Sequence, residues 1–168
     1  MGIYPASNAS EKGRLHPALP VEGGRRKPSR IDMEKKVHLD IVTPERLIVS
    51  EEVDEIIAPG TLGDFGVLPD HTPFFSTLRI GELSYRKGDK TFYIAVSWGF
   101  AQVYQNKVIV LAELAEKPEE IDLLKVSEAI ARAEEKLLSA GDNINLLDEA
   151  RTSLEKALNR KQIAEKLK

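Results

Sequence analysis

Short apolar runs that alternate with polar positions dominate residues 36–116. In the first run, Val37, Leu39 and Ile41 alternate with polar residues, which predicts a strand with one buried face. Several further runs of this kind follow without a helical pattern between them. Pro59 is expected to lie outside the strands, because proline cannot donate a hydrogen bond to a sheet. The pattern therefore predicts a β-domain.

Turn-forming residues between the later apolar runs indicate two hairpins. Gly88 and Asp89 separate the first pair of runs, and Gln105 and Asn106 separate the second. Eight to ten strands at this spacing are typical of an antiparallel sandwich or barrel, and not of a parallel sheet.

Beyond Pro118 the apolar positions recur every three or four residues, as in amphipathic helices. Asp122 is a predicted N-cap, and the glycine at 141 interrupts the pattern. We expect a helical hairpin that detaches readily, because its stripes are narrow and rich in alanine and bury little apolar area. The stripes are Leu123, Val126, Ile130, Ala133 and Leu137, then Leu147, Ala150, Leu154, Ala157 and Leu158.

The chain is thus predicted to be α+β, with residues 33–117 forming the sandwich and residues 118–168 the hairpin. Residues 1–32 show neither period and are rich in proline and glycine, which predicts disorder. This segment is basic, although the whole chain has a net charge of −3. Because regular patterning begins just after Met33, we interpret residues 1–32 as a disordered extension or a non-native leader. The alternative is a basic arm that binds an acidic partner.

The composition removes several kinds of chemistry. There is no cysteine, which excludes disulfides, thiolate nucleophiles and cysteine-bound metals. The small negative net charge provides no general attraction for nucleic acid or anionic lipid. No apolar run approaches the roughly 20 residues that a membrane-spanning helix needs. We therefore expect membrane association only through a partner.

The candidate reaction centres are better explained as structure. His71 stands between Asp70 and Thr72, but neighbouring residues in an extended turn point apart, which disfavours a catalytic set. No two histidines have the spacing of metal ligands. The sequence therefore predicts neither catalytic nor metal-binding residues.

Three glycines, Gly60, Gly63 and Gly66, superficially suggest a phosphate-binding loop. Such a loop must open a helix, whereas an apolar segment ending in proline follows Gly66. We expect the glycines to form a tight loop with positive φ angles. This loop would display Asp64 and Phe65 to another protein.

Four segments occur in the order and at the spacing of one known family: 39–44, 63–73, 97–100 and 108–112. Over about residues 34–168 the chain resembles the epsilon subunit of the F-type ATP synthase. The specific part is the Gly-x-x-Gly-Val-Leu-Pro-x-His-x-Pro stretch that begins at Gly63. Asp70 and Thr72 depart from the glycine and alanine usual in its turn.

The resemblance implies a sandwich of about ten strands with a C-terminal helical hairpin, in a non-catalytic rotor-stalk subunit that couples proton-driven rotation to ATP synthesis. It implies a peripheral place at the cytoplasmic face of the cell inner membrane, with the sandwich on the gamma subunit and the c-ring. The hairpin would either lie folded beside the sandwich or extend along gamma toward the catalytic beta and alpha subunits, and in the extended form it would inhibit ATP hydrolysis. The implied c-ring contacts are Gly63, Asp64, Phe65, Gly66 and His71, and the implied basic contacts to the catalytic subunits are Arg151, Arg160 and Lys161.

Some members of that family bind regulatory ATP on the hairpin through an Ile/Leu-Asp-x-x-Arg-Ala motif, and no other cofactor is implied. Residues 147–152 match it except for a final threonine, which makes Asp148 and Arg151 candidates. Aligning the sequence that follows moves this match out of register by about two residues. At about 100° per residue, such a shift turns the side chains to another face of the helix.

Two other interpretations remain at this point. A nucleotide-binding or hydrolytic protein would need a fold that brings His71 together with Asp148 and Arg151. A free-standing adaptor would carry the same sandwich with a fixed hairpin. The basic residues at 156–168 do not discriminate between these interpretations, because they suit both the C-terminal end of a helix and contact with an acidic docking surface.

Overall fold

A computed structural model describes residues 35–167 of the chain. The predicted extension at 1–32 lies outside the described residues. Within them, a β-domain is followed by two helices, which agrees with the α+β prediction.

The β-domain contains eight strands in the described residues, and not the ten implied by the family resemblance. The predicted turns at residues 88–89 and 105–106 are both confirmed. Gln105 and Asn106 have φ angles of 48° and 57°, the left-handed pair that a two-residue hairpin turn requires. The strands are β1 (Val37–Val42), β2 (Leu47–Val53), β3 (Glu55–Gly60), β4 (Gly63–Val67), β5 (Phe74–Leu78), β6 (Gly81–Lys87), β7 (Lys90–Tyr104) and β8 (Lys107–Glu116).

These strands form one continuous sheet that folds over itself, in the order β2-β1-β8-β7-β5-β3-β4, with β6 between β3 and β7. The first half of β7 pairs with β6 and its second half pairs with β5, so this long strand belongs to both layers. The pairings are antiparallel, as predicted, except that β1 and β8 run parallel. They are far apart in sequence, so no short turn constrains their direction.

Two residues with an irregular backbone, Trp98 and Gly99, lie between the two halves of β7. Their φ angles are 45° and 141°, both outside the extended range of a strand. Ser97 pairs with Leu114 and Gly99 pairs with Ala112, so the register with β8 continues without a shift across Trp98. At this point the other neighbour of β7 changes from β6 to β5.

The predicted glycine loop is instead a β-hairpin. Gly60 ends β3, Gly63 begins β4 and Gly66 lies inside β4. Of the three, only Gly63 has a positive φ, of 130°. Pro59 also lies within β3, contrary to the prediction. Asp64 and Phe65 are therefore displayed by a strand at the end of the sheet order.

The alternation in the sequence correctly identifies the core of the sandwich. Val37, Leu39 and Ile41 are completely buried, as predicted for the first strand. Their main partners in the same apolar cluster come from the other strands: Val53, Ile56, Val67, Leu83, Tyr85, Ile94, Val96, Val103, Val108 and Val110.

The hairpin consists of α1 (Leu123–Ser139) and α2 (Ile144–Ala164), with a short 3-10 turn on either side. Asp122 caps α1, since its carboxylate accepts hydrogen bonds from the backbone N–H groups of Leu124 and Lys125. Asn143 caps α2 in the same manner. The predicted Asp122 cap and the break at 141 are thus confirmed.

The predicted apolar stripes are only partly buried. Val126, Ala133, Ala150 and Ala157 are buried, but Leu123 and Leu158 are more than two-fifths exposed. A second cluster, which joins the hairpin to the sandwich, consists of Ala95, Ile121, Val126, Ile163 and Ala164, with Tyr93 and Ile130 packed against it. The burial of Ile163 and Ala164 at the end of α2 was not predicted.

Candidate functional site: docking surfaces of the sandwich and the hairpin

An apolar belt crosses the outer face of the layer that contains β1, β2, β5 and β8. Phe100 lies opposite Leu111, Leu111 is in register with Val42, and Val42 is in register with Leu47. Phe75 extends the row, because its ring stacks on Phe100 with centroids 5.7 Å apart. Leu47, Phe75, Phe100 and Leu111 are each about half exposed or more. Such a contiguous exposed apolar surface is typical of a binding site for another protein.

A polar cluster flanks the apolar belt on the same face. His38 contacts Glu52 through Nδ1 at 2.7 Å and Asp40 through Nε2 at 3.1 Å. Hydrogen bonds from the Lys107 ammonium and the Ser50 hydroxyl hold the pKa of the Asp40 carboxyl below its usual value. The cluster is paired internally, which gives the belt a polar rim like those around protein interfaces.

The residues implied to contact the c-ring come together around one aromatic ring, Phe74. The Phe65 ring packs edge-on against Phe74 at 5.0 Å, and the His71 ring does so at 6.0 Å. Asp64 accepts a hydrogen bond from the Arg79 guanidinium at 2.7 Å. Gly63 and Gly66 contribute backbone on either side of Phe65 in β4. The surface is compact, although its residues are distant in sequence.

A groove of about 500 Å³ joins this aromatic group to the apolar belt. Leu62, Phe65, Phe74 and Phe75 line it, together with Asp64. Because Phe75 also belongs to the belt, the two surfaces are continuous.

His71 has a structural environment and no catalytic one. Its Nδ1 lies 2.7 Å from the carbonyl oxygen of Thr72, and its backbone N–H donates to Leu68. Asp148 and Arg151 pair with each other on α2, and no hydrogen bond in the described part of the chain joins them to His71. Nor do residues 35–167 contain a group of His, Asp and Glu side chains that could hold a metal ion.

The nucleotide motif has two matches, and each serves local structure. Asp148 and Arg151 form an exposed ion pair at 3.8 Å, with each side chain 68% exposed. A second, partial match lies at 121–126. In this segment lysine and valine replace the arginine and alanine of the motif. There the Asp122 carboxylate is occupied by the cap of α1, and Val126 is fully buried.

The basic residues implied to meet the catalytic subunits have different environments. Arg151 and Lys161 are exposed on α2. Arg160 instead forms a two-point contact with Glu116 at the end of β8, with Nε–Oε2 and Nη2–Oε1 distances of 2.6 and 2.9 Å. In this conformation the guanidinium of Arg160 is therefore already paired with a carboxylate of the same chain.

Sequence reasoning missed the apolar belt and the acidic partners of α2. The belt left a signal, because the run of four apolar residues at 108–111 does not alternate. A strand that is apolar on both faces needs cover on both. Glu116 left no such signal, since a glutamate at the end of a strand is ordinary.

Within residues 35–167, neither helix is long and apolar enough to cross a bilayer. The described residues therefore combine a sandwich that has exposed binding surfaces with a docked helical hairpin. This arrangement defines the class of protein as a docking subunit.

Comparison with known proteins identifies the family. A sequence profile described as the β-sandwich domain of the ATP synthase delta/epsilon chain matches residues 36–118. The ATP synthase epsilon chain of Geobacter metallireducens is 50% identical over 136 residues, which cover 80% of this chain and 97% of that protein. Epsilon chain 2 of Syntrophotalea carbinolica is 46% identical over 132 residues, which cover 79% of this chain and 96% of that protein. The chain belongs to the ATP synthase epsilon chain family, whose members are non-catalytic subunits of the enzyme.

Solved structures agree with this assignment. A chain in the cryo-EM structure of the Euglena gracilis mitochondrial ATP synthase, which contains OSCP, F1 and the c-ring, matches with a TM-score of 0.66 and 25% identity, covering 76% of this chain and 80% of that chain. A chain from the central stalk and c-ring of the Tetrahymena thermophila enzyme matches with a TM-score of 0.51 and 10% identity, covering 77% of this chain and 97% of that chain. The second match supports the fold alone.

Proposed function

We propose that this chain is a rotor-stalk subunit that couples proton-driven rotation to ATP synthesis and inhibits ATP hydrolysis through its C-terminal helices. The observation that carries the proposal is the apolar belt, which is exposed in the isolated chain and requires a protein partner. Family membership supports an ATP synthase as the source of that partner.

In this proposal the apolar belt binds the gamma subunit, and the aromatic group around Phe74 meets the c-ring. The belt has the larger row of exposed apolar side chains, which suits a permanent partner. The group with Gly63, Asp64, Phe65, Gly66 and His71 mixes aromatic rings with a carboxylate, which suits polar loops. The continuous groove between the two surfaces supports simultaneous contact with both partners. The chain would then lie peripherally at the cytoplasmic face of the cell inner membrane.

The hairpin is the proposed regulatory part. Its basic residues Arg151, Arg160 and Lys161 would meet acidic loops of the catalytic beta and alpha subunits after the hairpin leaves the sandwich. The apolar cluster that joins the hairpin to the sandwich is small, which supports a two-state element with a modest energy gap.

Removing the hairpin after residue 117 is expected to raise ATP hydrolysis by the reconstituted catalytic complex by about fivefold or more, the scale of a typical regulatory coupling. The cut follows the end of β8 at Glu116, so all eight strands remain. ATPase rates of complexes with the full chain, the truncated chain and the exposed helix variant Glu149→Gln measure the effect. Equal rates with full and truncated chains would remove the inhibitory half of the proposal, whereas Glu149→Gln should behave as the full chain.

Regulatory ATP on the hairpin stays a prediction, with Asp148 and Arg151 as its candidate ligands. If they bind ATP, Asp148→Ala should weaken binding by about tenfold or more, the scale expected when a charged hydrogen bond to a ligand is lost. Calorimetric titration of ATP into the full chain and the variant measures this. Wild-type affinity in the variant would exclude these residues, and Glu128→Ala on α1 is a matched control for loss of a surface carboxylate.

A further inference from the structure

Charged contacts dominate the attachment of α2 to the sandwich. Three carboxylates on β6 and β8, which we call the acidic cradle, each hold one cation of α2 or of the 3-10 turn that follows it. The cradle consists of Glu82, Glu113 and Glu116, which pair with Lys166, Lys156 and Arg160 at 2.8, 3.4 and 2.6 Å. Lys156 and Arg160 lie one helical turn apart near the end of α2, and Lys166 lies in the 3-10 turn that follows.

The pair between Arg160 and Glu116 is the strongest of the three on geometric grounds. Both nitrogens of the guanidinium fork donate to the two carboxylate oxygens, at 2.6 and 2.9 Å. The two side chains are only 24% and 17% exposed. Partly desolvated, two-point contacts of this kind are stronger than exposed single contacts.

Two aromatic rings and two backbone carbonyls complete the cradle. The Lys156 ammonium lies 4.1 Å from the centre of the Trp98 ring, and Lys166 lies 4.1 Å from that of Tyr93. The Asn159 side-chain amide donates to the carbonyls of Gly81 and Val96 at 2.9 and 3.4 Å. Trp98 has a φ of 45°, which a tryptophan rarely adopts, so the irregular point of β7 lies beside Lys156.

The apolar contribution to this attachment is small. Of the residues that α2 buries, three are alanines and only Ile163 is large. Alanine removes little apolar area from water, so its contribution to the free energy of docking is low. The ion pairs therefore decide whether α2 stays on the sandwich.

We propose that the acidic cradle is a docking surface for the basic face of α2, and that it competes for those cations with the acidic surface of the catalytic subunits. The competition rests on the proposed function, whereas the docking itself does not. Because α2 lies on the sandwich in one state and leaves it in the other, Arg160 cannot pair with Glu116 and with a carboxylate of the catalytic subunits at the same time. Glu116 thus favours the docked state, and an acidic partner favours the released one.

The docking is tested by amide hydrogen exchange on the full chain and on Glu116→Gln, Arg160→Gln and the double variant. Each single change should speed exchange of the α2 amides at 150–164 by about tenfold, as expected for loss of a charged contact. The double variant should exchange no faster than the singles, because both remove the same contact. If the two substitutions have additive effects on the exchange rates, or none, the proposal that the acidic cradle holds α2 is overturned.

Glu149→Gln is the matched control, since Glu149 pairs with Lys136 within the hairpin and leaves the cradle intact. Quenching of Trp98 fluorescence by acrylamide reports the same release locally, because Trp98 is the single tryptophan of the chain. Core amides at 39–41 should stay protected in all variants, which shows that the sandwich is folded.

The competition predicts opposite effects of the two substitutions on ATP hydrolysis by the reconstituted complex. Glu116→Gln frees Arg160 and should strengthen inhibition severalfold, whereas Arg160→Gln loses the contact with the catalytic subunits and should weaken it. Effects of the same sign would overturn the competition. If truncation after residue 117 also leaves the rate of ATP hydrolysis unchanged, the proposal that the hairpin inhibits hydrolysis is wrong. The exchange experiment alone then tests whether the acidic cradle holds α2.

Discussion

Replacing Gly99 by alanine is expected to lower the free energy of unfolding of the sandwich by about 3 kcal/mol or more. A Cβ at this position would lie 2.1 Å from the carbonyl oxygen of Leu111 and 2.8 Å from the Cα of Ala112. Both are backbone atoms of β8, which cannot move aside without breaking the pairing with β7. The φ of 141° adds backbone strain, because this region is almost exclusive to glycine. Urea unfolding, with the midpoint and slope fitted separately, measures the loss.

Gly88→Ala is the matched control, because it introduces the backbone strain of a positive φ without a steric clash of the new Cβ. Gly88 also has a positive φ, of 62°, but a Cβ there would meet no atom within 4 Å. Its expected cost is about 1 kcal/mol, the usual penalty for a side chain in the left-handed region. Equal losses in the two variants would show that the close approach of β7 and β8 at Gly99 does not constrain the sandwich.

The local features of the fold could be predicted from the sequence, and the distant pairings could not. The turn at Gln105 and Asn106 and the cap at Asp122 depend on residues within a few positions of each other. The parallel pairing of β1 with β8 depends on residues about 70 positions apart, and nothing in either strand specifies its direction. The same reason explains why the prediction for Pro59 is wrong. Pro59 pairs with β4 alone, in the gap between the pairings of β3 with β6 and with β5, and this gap exists only in the folded sheet.

Helical periodicity identified the buried face of each helix but not what covers it. Leu158 belongs to the predicted stripe of α2, yet it is 47% exposed, whereas Ile163 is fully buried. The difference arises because α2 meets two surfaces, α1 along most of its length and the sandwich near its end. A one-dimensional pattern cannot assign a residue to one of two neighbours.

The candidate site shows the same division. Asp64, Phe65 and His71 were identified by a motif, and the structure brings the two rings together around Phe74. The apolar belt is assembled from five strands, so no single segment contains it. Arg160 was singled out for its charge, but its partner Glu116 is 44 residues away and became visible only in the folded chain.

Replacing Leu111 by aspartate is expected to weaken binding to the gamma-containing catalytic complex by about 30-fold or more, while the stability of the sandwich changes little. Leu111 lies between Phe100 and Val42 in the centre of the apolar belt and is 52% exposed in the free chain. A partner that covers the belt would have to bury the new carboxylate without a counter-charge, which is costly. Titration of the chain into the catalytic complex prepared without it measures the affinity.

Leu138→Asp is the matched control, because Leu138 is 89% exposed on α1 and lies outside the apolar belt. The same exchange there should leave both affinity and urea midpoint almost unchanged. Full affinity in Leu111→Asp would mean that the belt is not the gamma-binding face and that the partner lies elsewhere on the sandwich. Equal loss in both variants would instead point to a general effect of added negative charge. A loss confined to Leu111 would assign the belt to the partner, because the two variants differ only in where the carboxylate is placed.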